Sequence, residues 1–184
     1  MKTAICIANG SSLTADDVEY CRGKGTVYAI KEAMFLAPWA DCLYAADGDW
    51  WDTYKGCPDF KGEKITVAVR EAEKYGLTLY QYDPKLVWGL DNIIATGGNS
   101  GFQTVNIATL RGAERVILLG FDMGHKANKH WWTGKYKRDV RPSNYKDWIE
   151  KFKKASSIIP AKVINCTRET ALDCFERADL RGVL

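Results

Sequence analysis

The fold class of this chain is decided by residues 96–122, TGGNSGFQTVNIATLRGAERVILLGFD. The stretch predicts a tight glycine-rich turn, then an amphipathic helix from about Ser100 to Arg111, and then a buried strand from Arg115 to Phe121 that leads into Asp122. This order places backbone N–H groups at the start of a helix, where they can hold an anion, and brings a carboxylate to the C-terminal edge of a sheet. Ligands of open α/β sheets bind at that edge, so the stretch predicts a site for a phosphate or a nucleotide.

Short apolar runs rich in β-branched residues recur along the rest of the chain, with helical segments between them. Strands that alternate with helices predict one domain over residues 1–184, an α/β fold with three layers around a mostly parallel sheet. A long polar, aromatic and basic loop over 122–144 is expected to cover the site, because loops of this length in compact domains are usually functional or mobile. The predicted strands lie at 3–8, 26–30, 41–46, 65–69, 77–82, 115–121 and 162–165; helices are predicted after Thr14, around 32–35, and at 70–75, 100–111, 145–156 and 167–175, with an irregular segment at 84–92.

Composition places the chain among soluble globular proteins and excludes several classes of function. Its 184 residues carry a formal net charge of +3, which is too small to indicate nucleic-acid binding by itself; lysines cluster between 126 and 154, which suits either an anionic substrate or a solvated face. The six cysteines form no CxxC pair, and the two in strand-like runs, Cys6 and Cys42, are expected to be small core residues. No apolar stretch approaches the ~18–20 residues of a membrane span and no signal peptide is evident, so we expect a reduced, cytoplasmic protein.

Polar side chains follow four of the predicted strands, at the edge where a parallel sheet binds its ligand. The segment Asn9-Gly10-Ser11-Ser12 follows the first strand, Lys31 the second, Asp47 the third, and Asp122 the strand of the opening stretch. Gly10 permits close approach of the backbone, and the two serines offer hydroxyl and N–H groups to a phosphate or a ribose. We interpret these residues as nucleotide-binding; for the Asn-Gly-Ser-Ser segment alone, the alternative is an ordinary turn between a strand and a helix.

The turn Gly97-Gly98-Asn99-Ser100-Gly101 is a stronger indication of a ligand. Its glycines allow positive φ angles and leave the backbone open at the start of a helix, so Gly98, Asn99, Ser100 and Gly101 are predicted to contact the nucleotide. The turn matches neither a dinucleotide-binding GxGxxG motif nor a Walker loop. The alternative is a strained helix start that packs closely on the sheet.

Two residues of the loop after Asp122 are candidates for the chemistry. His130 is predicted to act as a general acid or base, because imidazole titrates near neutral pH; a surface histidine is the alternative. Trp131 is predicted either to stack on the ligand or to anchor the loop, and Asp122 itself to hold a metal, orient the base or cap the loop. A zinc site is not expected, because His125 and His130 share no helical face.

The chain resembles a group of small bacteriophage proteins described as norphogenetic proteins. The shared blocks are LYAADxxWW at 43–51, TGGNSG at 96–101, LLGFDM at 118–123 and NCxxxTALDCF at 165–175, which together run over nearly the whole chain. The resemblance implies a phage-encoded protein that acts in the cytoplasm of the infected host.

A fainter resemblance, carried by 7–13, 99–101 and 113–122, links the chain to the bacterial lipooligosaccharide sialyltransferases, whose superfamily includes hydroxymethylpterin diphosphokinase-like proteins. This resemblance implies a Rossmann-like fold of the GT-A-variant type, a cytidine nucleotide sugar held by the two loops, a histidine base matched by His130, and no requirement for a metal. Two positions depart from the family. Gly124 stands where those enzymes have a tyrosine that helps the phosphate to leave, and Lys31 where they have a nucleotide-contacting asparagine.

Three functions follow from these observations. The favoured one is a metal-independent, sialyltransferase-like glycosyltransferase that needs no cofactor, takes a nucleotide-activated sugar as its substrate, and transfers the sugar to a glycan, a DNA base or a small molecule. The second is a diphosphokinase or nucleotidyl-transfer enzyme that requires Mg²⁺ at Asp47, Asp49 or Asp122. The third is a phage accessory protein that binds a nucleotide without turnover. Each of the three is compatible with a homo-oligomer.

Overall fold

The computed structural model describes residues 1–124 and 144–184. None of the helices in these two ranges is long and apolar enough to cross a membrane. The strands are β1 Thr3–Ile7, β2 Thr26–Ile30, β3 Cys42–Tyr44, β4 Glu63–Thr66, β5 Thr78–Leu79, β6 Gln81–Asp83, β7 Ile93–Ala95, β8 Arg115–Leu119, β9 Lys162–Asn165 and β10 Glu176–Arg177. The helices are α1 Ala15–Tyr20, α2 Gly48–Thr53, α3 Val69–Tyr75, α4 Ser100–Leu110, α5 Tyr145–Ala155 and α6 Leu180–Val183, and a 3₁₀ helix covers Lys31–Phe35.

The strands of the main sheet are all parallel to their neighbours. Their order is β10-β9-β8-β1-β2-β3-β4-β5, and β6 and β7 form a separate parallel pair. The prediction of a mostly parallel α/β sheet is therefore confirmed. From β1 the chain builds outward through β2, β3, β4 and β5, whereas β8, β9 and β10 extend the sheet on the other side of β1. The order thus reverses between β1 and β8, and this is the point at which open sheets bind ligands.

Helices cover both faces of the sheet, as the prediction of three layers requires. Successive strand residues point to opposite faces, so β1, β2, β3, β8 and β9 each contribute to two separate apolar clusters. Cys6 and Cys42 are buried among apolar side chains, as predicted. One cluster includes Ile5, Ile7, Val18, Trp50 and Trp51, with residues of α1, the 3₁₀ helix and α2; the other includes Ala4, Cys6, Cys42, Phe102 and Phe152, with residues of α4 and α5.

The helix of the opening stretch, α4, is buried on nearly all sides, so the prediction of an amphipathic helix was wrong. Residues 101–109 are all buried. The sheet covers one side of α4, and Trp88 packs against Phe102 in an edge-to-face arrangement, with 5.1 Å between the ring centroids. The polar residues in α4 that suggested a solvated face are hydrogen-bonded inside the protein: the Thr104 hydroxyl donates to the Ser100 carbonyl at 2.7 Å.

Residues 77–95, which include the cover over α4, differ from the prediction in where their strands begin and end. The strand predicted at 77–82 is two strands, β5 paired with β4 and β6 paired with β7, and the irregular residues 84–92 lie between β6 and β7. Asn106 of α4 holds this segment in place. Its Oδ1 accepts hydrogen bonds from the backbone N–H groups of Gly89 at 3.1 Å and Ala95 at 2.7 Å.

The helix predicted at 167–175 is absent from the structure, which has no regular secondary structure at those residues. Thr167 accepts a hydrogen bond from the Phe121 N–H at 3.0 Å, and the Thr170 hydroxyl donates to the Phe121 carbonyl at 2.5 Å. Asn165 accepts from the Thr167 N–H and donates to the Leu172 carbonyl. Such side-chain bonds to the backbone compete with a helix, and here they tie the segment to the end of β8.

We expect the substitution Asn106→Ala to lower the free energy of unfolding by about 1–3 kcal/mol for each backbone donor that it leaves unpaired. The reason is that Asn106 is fully buried, and its oxygen accepts from the N–H groups of both Gly89 and Ala95. Urea unfolding followed by circular dichroism measures this difference. Lys154→Ala, at an exposed position of α5, serves as the control and should change the free energy by less than about 0.5 kcal/mol; equal effects of the two substitutions would contradict the assignment.

Candidate functional site

The turn after β1 and the end of β8 lie in direct contact at the point where the strand order reverses. The N–H of Ala8 donates to the Leu119 carbonyl and that of Gly10 to the Gly120 carbonyl, each at 2.8 Å. A Cβ atom on Gly10 would overlap the carboxylate of Asp122 and lie 2.5 Å from the Gly120 carbonyl oxygen. A Cβ on Gly120 would lie 2.5 Å from the Ala8 carbonyl oxygen. Both glycines are therefore required for this close approach of two backbones.

The carboxylate of Asp122 holds the turn after β1. Its Oδ2 accepts hydrogen bonds from the backbone N–H of Ser12 at 2.8 Å and the hydroxyl of Ser11 at 3.4 Å, and its Oδ1 accepts from the Ser12 hydroxyl at 2.7 Å. The side chain is buried. The predicted roles of Asp122 were to hold a metal, to orient the base or to cap the loop. The structure shows a different role: the carboxylate orders the Asn-Gly-Ser-Ser segment that was predicted to bind the ligand.

Residues 165–172 hold the end of β8 in place through hydrogen bonds. Thr167 and Thr170 bond to the backbone of Phe121, as described above, and the N–H of Ala171 donates to the Asp122 carbonyl at 2.9 Å. Arg168 in the same segment forms two hydrogen bonds to Asp17 of α1, at 2.6 and 2.9 Å. Burial of Asp17 favours its protonated form, but the hydrogen bonds from Arg168 and Thr14 and the charge of Arg168 outweigh that effect and lower the pKa of Asp17.

A second buried carboxylate, Glu32, joins the ends of three strands. Its Oε2 accepts a hydrogen bond from Asn9 Nδ2 at 2.8 Å, and its Oε1 accepts one from the indole Nε1 of Trp50 at 2.8 Å. Asn9 follows β1, Glu32 lies in the 3₁₀ helix after β2, and Trp50 lies in α2 after β3. Glu32 was not among the predicted site residues, because no local motif marks it and both of its partners are distant in the chain.

Lys31 and Asp47, both predicted as ligand-binding residues, are brought together. Lys31 Nζ lies 2.5 Å from Asp47 Oδ2, and both side chains are mostly buried. Lys31 has a φ of +54°, a conformation that non-glycine residues rarely adopt. The ion pair connects the end of β2 to the residue before α2, so the two strand ends are cross-linked at the predicted edge.

The glycine-rich turn lies at the same edge of the sheet. Asn99 caps α4 by accepting a hydrogen bond from the Phe102 N–H at 2.8 Å, and Ser100 Oγ accepts one from the Ala46 N–H, after β3, at 3.5 Å. A Cβ on Gly101 would lie 2.8 Å from the ring of Phe121, at the end of β8. The start of α4 is thus packed between the ends of β3 and β8. Such close packing on the sheet is also what the alternative interpretation of this turn predicted.

Two residues of α5 that the sequence analysis did not assign to the site lie against the glycine-rich turn. Gly98 is exposed and has a φ of +77°, and a Cβ on it would lie 3.1 Å from both Lys151 Nζ and Trp148 Nε1. Lys151 also forms an ion pair with Asp147 at 2.7 Å. An ammonium and an indole N–H therefore stand beside the backbone of the turn, a set of donors that suits an anionic ligand.

The structure brings all of the described residues that were predicted for binding or catalysis to one edge of the sheet: Asn9, Gly10, Ser11, Ser12, Lys31, Asp47, Gly98, Asn99, Ser100, Gly101 and Asp122. His130 and Trp131 lie outside the described residues, and their roles stay predictions. Within residues 1–124 and 144–184, no group of three or more His, Cys, Asp or Glu side chains is placed to hold a metal ion.

We expect Gly10→Ala to disrupt the site and to destabilise the protein, because the added methyl group would overlap the Asp122 carboxylate and force the two backbones apart. The loss should amount to about 1–3 kcal/mol, the usual range for overpacking, measured by urea unfolding. Gly182→Ala is the matched control, because a Cβ there meets no atom within 4 Å. If Gly10→Ala were as stable as Gly182→Ala, the contact between Gly10 and Asp122 would be disproved.

The ion pair between Asp17 and Arg168 predicts a dependence of stability on pH. Because the folded-state pKa of Asp17 is lowered, its contribution is present above the unfolded pKa of about 3.9 and is lost as the pH falls through the folded pKa. Asp17→Asn should therefore lower the free energy of unfolding by about 1 kcal/mol at pH 7 and by progressively less below pH ~4. Arg22→Gln, which removes an exposed pair with Glu19, is the control and should show no such trend; a constant Asp17→Asn effect from pH 7 to pH 2.5 would contradict the assignment.

Comparison with known proteins bears on the fold. No protein-family model matches the chain, and no curated protein sequence matches it. The MAf glycosyltransferase from Magnetospirillum magneticum AMB-1 has a similar structure, with a TM-score of 0.69 and 15% sequence identity over 100% of this chain and 34% of the other. The chain thus spans about a third of the length of that enzyme. The likeness supports the Rossmann-like α/β fold, a mostly parallel sheet flanked by helices, which this chain shares with a glycosyltransferase.

Proposed function

We propose that this chain is a metal-independent glycosyltransferase that binds a nucleotide-activated sugar at the reversal point between β1 and β8. The observation that carries the proposal is the convergence of two glycine-containing turns, 9–12 and 97–101, at one edge of a parallel sheet. The fold of a known glycosyltransferase supports the same class of function. The likeness to the phage proteins and to the sialyltransferases supports a phage origin, a cytoplasmic location and a cytidine nucleotide as the carrier of the sugar.

Hydrogen-bonding groups at this edge suit the phosphate and the ribose of such a substrate. The backbone N–H groups of the glycine-rich turn would bind phosphate oxygens, and Gly98 leaves the backbone accessible there. The hydroxyl oxygens of Ser11 and Ser12, whose protons are donated to Asp122, would accept hydrogen bonds from the ribose hydroxyls. Lys151, beside Gly98, would neutralise the charge that develops on the departing phosphate. This lysine supplies an electrostatic substitute for the tyrosine that the sialyltransferases have at the position of Gly124.

The carboxylates near the site favour a reaction without a metal ion. Asp122 accepts three hydrogen bonds from Ser11 and Ser12, and Asp47 is paired with Lys31. A magnesium ion would have to displace these partners before it could bind either carboxylate, whereas the diphosphokinase alternative depends on such acids as ligands. In the favoured reaction His130 removes the proton of an acceptor hydroxyl or amine, and the sugar carbon leaves the phosphate oxygen for the acceptor.

We expect isothermal titration calorimetry to detect binding of one member of a panel of CMP, UDP and GDP sugars, with no dependence on EDTA. His130→Ala should retain that binding and lose transfer by about 10²–10⁴-fold, the usual contribution of a general base. His125→Ala, in the same segment, is the matched control and should retain both. The proposal fails if no nucleotide sugar binds; a requirement for Mg²⁺ would support the diphosphokinase alternative, and binding without turnover in the unmodified protein would support the accessory-protein alternative.

A further inference from the structure

Lys151 lies between an acid of its own helix, α5, and the exposed backbone of the glycine-rich turn. Its Nζ is 2.7 Å from Oδ2 of Asp147, four residues earlier in the helix. The same Nζ and the indole Nε1 of Trp148 would each lie 3.1 Å from a Cβ atom on Gly98. Because both nitrogens lie this close to one point, an anion beside Gly98 can accept hydrogen bonds from the ammonium and the indole groups together.

The bond between Lys151 and Asp147 is one that a ligand can exchange. The Lys151 side chain is 40% exposed and the Asp147 side chain 43% exposed. An ion pair with this exposure is partly hydrated and contributes little to stability. A phosphate beside Gly98 carries its own negative charge and several acceptor oxygens, so it can replace the carboxylate on Lys151 while the carboxylate returns to water.

We infer that Asp147 competes with a phosphate of the ligand for Lys151, so that this ion pair is exchanged when the ligand binds and forms again when the phosphate leaves. The inference rests on the proposed function and concerns the same site, where Lys151 neutralises the departing phosphate. A ligand without a charge at this position leaves the ion pair intact and gains no contact with Lys151. Asp147 therefore makes the site selective for a phosphate, and it limits how tightly the freed phosphate is held after transfer.

A role in helix stability alone is the alternative for Asp147. The N–H of Asp147 donates to Oδ1 of Asn144, the N-cap of α5, at 3.3 Å, so the acid stands in the first turn of the helix. Acids in this turn interact favourably with the helix dipole, and a pair of opposite charges four residues apart stabilises a helix. Such a role predicts a loss of stability when the acid is removed and no gain in affinity for a phosphate.

A second ion pair on α5 allows these two roles to be separated. Lys153 Nζ lies 3.7 Å from Glu150 Oε1, and both side chains are also substantially exposed. The atoms nearest to a Cβ on Gly98, however, belong to Lys151 and Trp148. The pair of Glu150 and Lys153 therefore serves as a control that carries the same charges on the same helix.

Calorimetry with a nucleoside monophosphate and its nucleoside tests the competition. The probes are CMP with cytidine, UMP with uridine and GMP with guanosine, and the ratio of the two affinities isolates the contribution of the phosphate. We expect Asp147→Asn to raise this ratio by roughly fivefold, because the amide keeps the shape of the carboxylate but holds Lys151 less strongly. Lys151→Gln should lower the ratio by about tenfold or more, and Glu150→Gln and Lys153→Gln should leave it unchanged.

The double variant Asp147→Asn with Lys151→Gln shows whether the two residues act through one another. Without Lys151 there is no ammonium group to compete for, so Asp147→Asn should no longer raise the ratio. The inference is wrong if a nucleotide binds and Asp147→Asn leaves the ratio unchanged or lowers it. It is equally wrong if Glu150→Gln raises the ratio as much, or if the gain from Asp147→Asn persists without Lys151.

The indole N–H of Trp148 reports on a phosphate at this place without any nucleoside. Its nuclear magnetic resonance signal is identified by its loss in Trp148→Phe, which keeps an aromatic ring beside Tyr145. We expect inorganic phosphate to shift this signal in the native protein, and to do so at a lower concentration in Asp147→Asn. If no nucleotide or nucleotide sugar binds, the proposed function fails, whereas the titration with inorganic phosphate still decides the inference: a signal that does not shift overturns it.

Discussion

The contact between the turn after β1 and the end of β8 is the constraint on which the rest of the site depends. Gly10 and Gly120 allow the two backbones to approach, and the space that a side chain at position 10 would fill is occupied by the Asp122 carboxylate. That carboxylate in turn binds Ser11 and Ser12. The contact lies between the two strands at which the sheet order reverses, so this close packing coincides with the place where open α/β sheets bind their ligands.

Buried carboxylates organise this edge because each of them needs partners. An ionised group removed from water is stable in a protein only when hydrogen bonds or opposite charges replace its hydration. Asp122 obtains its donors from the turn after β1, and Glu32 obtains them from Asn9 and Trp50. Since these donors belong to different strand ends, satisfying the two acids fixes the strand ends relative to one another. The two acids bind groups of the protein, and the backbone N–H groups at the start of α4 are the donors that suit an anionic ligand.

Local patterns in the sequence predicted most of the helices and strands and the edge of the sheet at which the candidate site lies. They did not predict contacts between residues that are distant in the chain. The apolar run after Arg115 predicted β8, and the rule that parallel strands share a carboxyl edge predicted that Lys31 would lie near Asp47, which the ion pair confirms. The hydrogen bonds of Glu32 could not be predicted from local patterns, because its partners, Asn9 and Trp50, lie in two other segments. The wrong helix at 167–175 has a related cause: the hydroxyls of Thr167 and Thr170 bond to Phe121, a partner that helix propensity does not consider.

The ion pair of Lys31 bears on how far the likeness to the sialyltransferases extends. Where those enzymes have an asparagine that contacts the nucleotide, this chain has an ammonium 2.5 Å from Asp47, held on a backbone with a φ of +54°. An amide can donate to and accept from a ligand, but an ammonium only donates, and here it is committed to a carboxylate. A contact of the amide type at this position is therefore not available to a ligand in this chain. The resemblance in sequence to those enzymes therefore does not extend to the chemistry of the side chain at position 31.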